Sequence, residues 1–179
     1  EFIYSDQIVE RFNTSHHKYL IPNSEVLRRL PEAVSSMSEP MVSQDNIAFY
    51  LLAEKVSKEV KVALAGQGAD EVFGGYFWYP QMLAASGSAL DKFRNFYFDR
   101  DHGEYLQTVS SDFHTVDVTS ELVQRELSKT HADSFLDQVL RFDVTTLIVD
   151  DPVKRMDNMS MAWGLEARVP FLDHELVEL

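Results

Sequence analysis

After an apolar run from Val60 to Ala65, the chain reads Gly66-Gln67-Gly68-Ala69-Asp70-Glu71 and continues as Val72-Phe73-Gly74-Gly75-Tyr76. Two glycines flanking one residue let backbone N–H groups come close to an anionic oxygen, and a helix beginning near Asp70 adds the positive end of its dipole. A carboxylate beside a phosphate needs a divalent cation between them, so Asp70 or Glu71 points to magnesium. The ligand-free alternative is a tight strand-to-helix turn in which Asp70 caps the helix. Local pattern leaves the two even. A dinucleotide fingerprint would need a third glycine where Glu71 stands, and a Walker loop would need a Lys followed by Ser or Thr.

A second charged segment runs Asp150-Asp151-Pro152-Val153-Lys154-Arg155-Met156-Asp157 and on through Ser160 to Gly164-Leu165-Glu166-Ala167-Arg168-Val169-Pro170-Phe171-Leu172-Asp173. Lys154 or Arg155 could contact phosphate, and Asp151 or Asp157 could hold a base or metal role. The plainer expectation is structural: Asp150 and Asp151 cap a helix from Pro152, Met156, Met159 and Trp163 pack, and Glu166 pairs with Arg168. His16 and His17 have no third ligand at metal spacing and read as structural. Tyr76, Phe77, Trp78 and Tyr79 before Pro80 could stack a base, but such a run beside a Gly-Gly pair is more often local core.

These residues need elements to hold them. Glu1 to Tyr4 reads as a strand, Ser5 and Asp6 as a cap for a helix over 7–12, and 17–21 as a second strand, together one parallel β-α-β unit. Ser24 caps a helix over 25–30, Pro31 starts another through Met37, and Glu39-Pro40 ends it. Helical spacing covers 46–57, followed by the apolar strand 60–65. Helices are expected over 89–98, 104–109, 120–129 and 134–147, separated by Gly103 and by polar stretches near Asp112 and His131. The fold class is therefore α/β, one domain with an α/β front and a largely helical C-terminal half.

The chain has 179 residues, no cysteine, and 29 acidic against 16 basic residues, a formal charge of −13. One hydrophobic core is the default at this length. The charge would repel a polyphosphate backbone, so nucleic acid is not an expected partner and any phosphate site must be local. No apolar run approaches the roughly 18 residues of a membrane span. The absence of cysteine excludes thiolate metal sites and a cysteine nucleophile within these residues.

In this order, the segments resemble the synthetase domain of glutamine-dependent asparagine synthetases, a branch of the ATP-pyrophosphatase group. The resemblance runs through His16-His17, Ser38-Glu39-Pro40, Gly66 to Tyr76, Asp150 to Ser160, and Glu166 to Asp173. Within that family, Gly66 to Tyr76 with Trp78-Tyr79-Pro80, and Ser38-Glu39-Pro40-Met41-Val42-Ser43, are most similar to enzymes that amidate N-acetylglutaminylglutamine. The resemblance implies part of an adenine-nucleotide alpha-hydrolase-like domain with few parallel strands. It also implies that ATP adenylates a carboxylate, pyrophosphate leaves with magnesium, and ammonia from glutamine attacks the acyl-adenylate.

Carried over by position, the resemblance puts Gly66 and Gly68 on the nucleotide and pyrophosphate, Asp70 on Mg2+, and Ser15 and His16 near the adenine. Arg155 becomes a candidate phosphate contact, with Asp151 beside it. Gln67 stands where asparagine synthetases commonly carry an acidic residue facing acyl transfer, which favours a dipeptide over aspartate as substrate. The implied partners are a small or dipeptide carboxylate, a glutaminase domain of the same parent chain and a second copy in a homodimer, in the cytoplasm. The family's Ser-Gly-Gly-x-Asp-Ser loop, its cysteine nucleophile and a later lysine are expected outside residues 1–179, so these residues alone should be catalytically incompetent. The alternatives are an asparagine synthetase acting on aspartate, or a helical interaction domain that has kept the fold and lost its ligand.

Overall fold

Val62–Leu64 forms β1 and pairs in parallel with β2, Glu166–Arg168, in the register Val62 to Glu166, Ala63 to Ala167 and Leu64 to Arg168. Ala65 extends the pairing by donating its N–H to the Arg168 carbonyl at 2.8 Å. The computed structural model describes residues 2–41, 43–129 and 132–179. Glu1 of the expected first strand, Val42 of the Ser38 to Ser43 segment and His131 of an expected connection lie outside the described residues. These two parallel strands among otherwise helical elements make the chain α/β.

Two compact units form, each with its own cluster of buried apolar residues rather than the single core expected from length. The first comprises residues 1–61 and 158–165. It contains α1 (Phe2–Phe12), α2 (Asn23–Ser35) and α3 (Asp45–Val56). Ala33, Ile47, Tyr50, Leu51 and Met159 make its core, with Trp163 packed against them.

The expected β-α-β opening is not formed. Phe2–Phe12 is helical from its first described residue, and Ser5, instead of capping, bonds back to the Phe2 carbonyl inside the helix. Residues 17–21 form no strand and pair with none among the described residues; side chains tie the segment to α1, Lys18 donating to Asp6 at 2.6 Å. Pro31 does not split α2 either. Arg29 reaches Glu32 across it at 2.7 Å, and the Ser35 hydroxyl donates to the Pro31 carbonyl at 2.9 Å, so both sides of the proline stay in one helix.

The second unit comprises residues 62–157 and 166–179. After β1 come α4 (Ala69–Phe73), α5 (Trp78–Ala84), α6 (Ala89–Tyr97), α7 (His102–Thr108), α8 (Val118–Leu127) and α9 (Phe135–Phe142). Capping boxes Ser88/Asp91, Asp101/Glu104 and Ser134/Asp137 start α6, α7 and α9, each satisfying first-turn N–H groups that would otherwise be orphaned. Tyr79, Met82, Phe93, Val123, Leu127, Val139 and Phe142 form the core.

Past Phe142 the helix widens into π-type turns at Asp143–Leu147 and Val149–Val153 before α10, Lys154–Met161. A separate helix capped at Asp150 and Asp151 is therefore absent. Pro152, which has no N–H to give, falls inside the second wide turn. After β2, a single 3-10 turn at Pro170–Leu172 and α11, His174–Val177, complete the unit.

Candidate functional site

The parallel strand β1 delivers the chain into Gly66-Gln67-Gly68, and the five-residue α4 follows at once. The two glycines are there for different reasons. Gly68 sits at φ +92° as the N-cap residue, and a β-carbon on it would overlap the Leu172 side chain, so fold geometry alone demands glycine. Gly66 has nothing within 4 Å of where a β-carbon would be and is exposed. Its backbone is open to a ligand, while Gly68 is buried beneath Leu172.

Asp70 does not cap α4, because the N-cap residue receives no side-chain hydrogen bond. Its carboxylate lies over Gly75, where the missing side chain makes room for it, and Gly75 N–H donates to the Asp70 carbonyl at 2.9 Å. The residue is exposed, and the carboxylate has no hydrogen-bond or ion-pair partner among the described residues. One exposed acceptor beside an open backbone suits a magnesium ion, which usually takes one or two protein carboxylates and completes its octahedron with phosphate oxygens and water. No group of three or more acidic, histidine or cysteine residues that could hold a metal exists among the described residues. The helix dipole contributes less than the sequence suggested, since α4 is a single short turn.

Glu71, the next residue, turns inward. It is 4% exposed and accepts the Tyr76 hydroxyl at 2.6 Å. Burial and the Glu71 carboxylate both push the Tyr76 hydroxyl upward from its ordinary value. Glu71 also lines a cavity of about 240 Å³ that includes Trp78, Tyr97, Asp143 and Asp151. Asp143, 2% exposed, accepts the Tyr79 hydroxyl at 2.7 Å and the Tyr97 hydroxyl at 2.6 Å on the same oxygen, Oδ2. Burial raises the Asp143 carboxyl to about 6; the two tyrosine hydroxyls oppose that rise, and the Glu71 charge adds to it.

An asparagine synthase family description matches residues 1–179, the whole chain. The chain belongs to this family. It is 30% identical over 183 residues to glutamine-hydrolysing asparagine synthetase 3 of Bacillus subtilis, covering 97% of this chain and 28% of that protein. Glutamine-hydrolysing asparagine synthetase 1 of Saccharomyces cerevisiae is 27% identical over 176 residues, with 97% of this chain and 22% of the relative covered. Asparagine synthetase 1 of B. subtilis is 28% identical over 188 residues, with 86% and 30% covered. The family member described here thus spans less than a third of the length of these relatives.

In this asparagine synthase family chain, Gly66, Gln67, Gly68 and Asp70 fall together on one turn, with Gln67 partly exposed. Arg155 and Asp151 come together in the same unit: the Arg155 guanidinium meets Asp151 at 3.3 Å across one helical turn. Arg155 is only 8% exposed, so a phosphate contact would require it to leave this pair. Asp151, with a side chain 45% exposed, lines the same cavity as Glu71, which links the two charged segments singled out in the sequence. Ser15 and His16 belong to the first unit, in the stretch between α1 and α2. The Ser15 hydroxyl lies 3.4 Å from the His17 ring, and His16 lies 3.7 Å from Asp6.

Sequence reasoning missed Asp143 with its tyrosine donors. Tyr79 and Tyr97 reach Asp143 across 64 and 46 residues of chain, which no local pattern reports. The available signal was an acid directly after Val139 and Phe142 on the buried stripe of an amphipathic helix.

Proposed function

We propose that this chain is the nucleotide-handling part of an ATP-dependent, glutamine-hydrolysing amidotransferase of the ATP-pyrophosphatase type. A substrate carboxylate attacks the α-phosphorus of ATP, the bond to the β-phosphate breaks, and pyrophosphate leaves. Ammonia then attacks the acyl carbon, AMP departs with the bonding pair, and an amide remains. One observation carries this reading: an exposed glycine at Gly66 with open space around it and, four residues on in the same turn, the exposed carboxylate of Asp70, which has no partner among the described residues.

In this reading, Gly66 donates its N–H to a phosphate oxygen and Gly68 fixes the turn that presents it. Asp70 would hold Mg2+, and the charge that ion supplies would favour pyrophosphate as a leaving group. Ser15 and His16 take the adenine end of ATP. Arg155, released from Asp151, contacts phosphate. Gln67 faces the acyl group and, being neutral, suits a substrate other than aspartate, N-acetylglutaminylglutamine being the one its neighbouring motifs favour. The protein would work in the cytoplasm, with a glutaminase domain of the same parent chain and a second copy as partners. Residues 1–179 alone would not turn over, because the family's Ser-Gly-Gly-x-Asp-Ser loop and cysteine are not among them. A second reading, asparagine synthesis from aspartate, is favoured by the relatives, which are glutamine-hydrolysing asparagine synthetases.

Calorimetric titration of the purified protein with magnesium and pyrophosphate tests the site. Asp70→Asn should weaken binding at least tenfold, and unchanged binding would remove Asp70 as the metal ligand. Assays of the full-length parent protein with ATP, magnesium, glutamine and either aspartate or N-acetylglutaminylglutamine separate the substrates. Preferential asparagine formation would replace the dipeptide reading with the second one.

A further inference from the structure

Arg29 and Arg155 are both nearly buried guanidinium groups, and only the first is fully engaged. Arg29, 8% exposed, donates through Nε to Glu32 at 2.7 Å and through Nη1 to Glu54 at 2.9 Å. Arg155, also 8% exposed, has one ion-pair partner among the described residues, Asp151, whose Oδ1 lies 3.3 Å from Nη1. Its Nε is buried without a hydrogen-bond partner. The edge of a guanidinium formed by Nε and Nη2 takes two oxygens side by side, as a phosphate presents them. Asp151 sits on Nη1 and leaves that edge unused at Nε.

The pair is also unequal in its need. A buried guanidinium without an anion is strongly disfavoured, so Arg155 requires one at all times. Asp151, with a side chain 45% exposed, is solvated by water whether or not Arg155 is beside it. The acid can therefore leave the arginine at little cost, provided that another anion takes its place. The backbone permits such a movement. Asp151 is carried on the widened turn Val149–Val153, where Pro152 has no N–H to give, whereas Arg155 is on the regular α10 that follows. Wide turns of this kind recur at functional sites. The turn also brings Asp151 onto the cavity that Glu71 lines, one residue from Asp70.

We propose that Asp151 is a positioning residue, an internal placeholder anion that keeps Arg155 paired until a phosphate displaces it. This rests on the reading of Arg155 as a phosphate contact. A phosphate on the Nε edge and Asp151 on Nη1 share a single positive charge, so the acid turns out to water as the phosphate arrives and returns as it leaves. The competition lowers affinity for phosphate and spares the site a bare buried cation when pyrophosphate departs.

Calorimetric titration of the purified protein with pyrophosphate in the absence of magnesium tests the placeholder, because the metal role of Asp70 is silent under those conditions. Asp151→Asn should tighten binding by about threefold or more, and Asp151→Glu should restore the wild-type affinity. Asp150→Asn, the same change of charge on the exposed acid next to it, should produce a smaller gain. In an Arg155→Gln background binding should be weaker, and Asp151→Asn should add nothing, which separates action through Arg155 from a general loss of negative charge. In the wild-type protein the Arg155 Nε–Hε NMR resonance should shift as pyrophosphate is added, a readout that does not depend on any variant folding. If the wild-type protein binds pyrophosphate while Asp151→Asn weakens binding, leaves it unchanged or helps no more than Asp150→Asn, the placeholder is overturned and the phosphate role of Arg155 stands. If no variant binds, or the Arg155 resonance stays fixed as pyrophosphate binds, both are overturned together.

Discussion

Arg29 and Asp143 are both buried charges set among aromatic rings, one in each unit, and they are balanced in opposite ways. The Arg29 guanidinium donates to Glu54 at 2.9 Å and to Glu32 at 2.7 Å, and lies 5.5 Å from the Tyr50 ring centroid and 5.8 Å from that of Trp163. Its charge is answered by charge. Among the described residues Asp143 has only neutral hydroxyl donors, and its second oxygen has no hydrogen-bond partner. The first cluster is chemically closed and ties α2 to α3. The second is open, and an open buried acid can still respond to a proton or a ligand.

The largest effect should come from breaking the closed cluster. Arg29→Met keeps some packing but leaves Glu54, whose side chain is 17% exposed, without its main cation. Removing one partner of a buried pair is strongly destabilising, and partial exposure tempers it here to about 3 kcal/mol. Urea unfolding measures this directly. A loss below about 1 kcal/mol would mean that the cluster is no more closed than a surface pair. The acid side provides a sign. Burial pushes the Glu54 carboxyl up, but the hydrogen bond and charge of Arg29 win and hold it below its ordinary value. Its contribution is therefore present above the unfolded pKa and is lost as pH falls through the folded one.

The open cluster should behave in the reverse sense. The Asp143 carboxyl rises to about 6 in the folded protein, above its unfolded value, so the folded state binds the proton more tightly. Stability is then greatest at acid pH and falls as pH rises through about 6, by about 2–3 kcal/mol from this group between pH 4 and pH 8. Asp143→Asn should flatten that slope, and a slope identical to the parent would show that Asp143 does not titrate in this window. Smaller again is Tyr97→Phe, which takes one donor from Oδ2. It should cost about 1–2 kcal/mol at pH 8 and less at pH 5, where the acid is protonated. A loss that does not change with pH would locate the effect in packing against Phe93, whose ring stacks on Tyr97 at 4.1 Å.

These two clusters were unequally legible in the sequence. Helical spacing found most of α3, α6 and α8, and the apolar run into Gly66-Gln67-Gly68 located β1 and its turn, because both signals are local. β2 was missed because Glu166-Ala167-Arg168 is short and mostly polar, and only its pairing with β1 makes it a strand. α5 was hidden by its aromatic run and by Pro80, which the first turn of a helix accommodates without loss. The helix expected over 7–12 is present, but it starts at Phe2, where an apolar opening suits a strand as well as a helix when no neighbour is visible. Asp143 was out of reach for a different reason: what matters about it is two tyrosines far away in the chain and a widening of the helix that a 3.6-residue period cannot register.

Asp70 and Glu71 supply the finest comparison, two adjacent acids on one short helix, one exposed and the other buried against the Tyr76 hydroxyl. Asp70 is exposed and unpartnered, and water solvates its charge. Asp70→Asn should therefore change stability by no more than about 0.5 kcal/mol in either direction. Glu71→Gln, at 4% exposure, alters a buried bond to Tyr76 and should change stability by more. If Asp70→Asn proved as damaging as Glu71→Gln, burial would not be what sets the energetics. The openness assigned to the Asp143 cluster would then lose its physical basis, because an exposed carboxylate without a partner would behave in the same way.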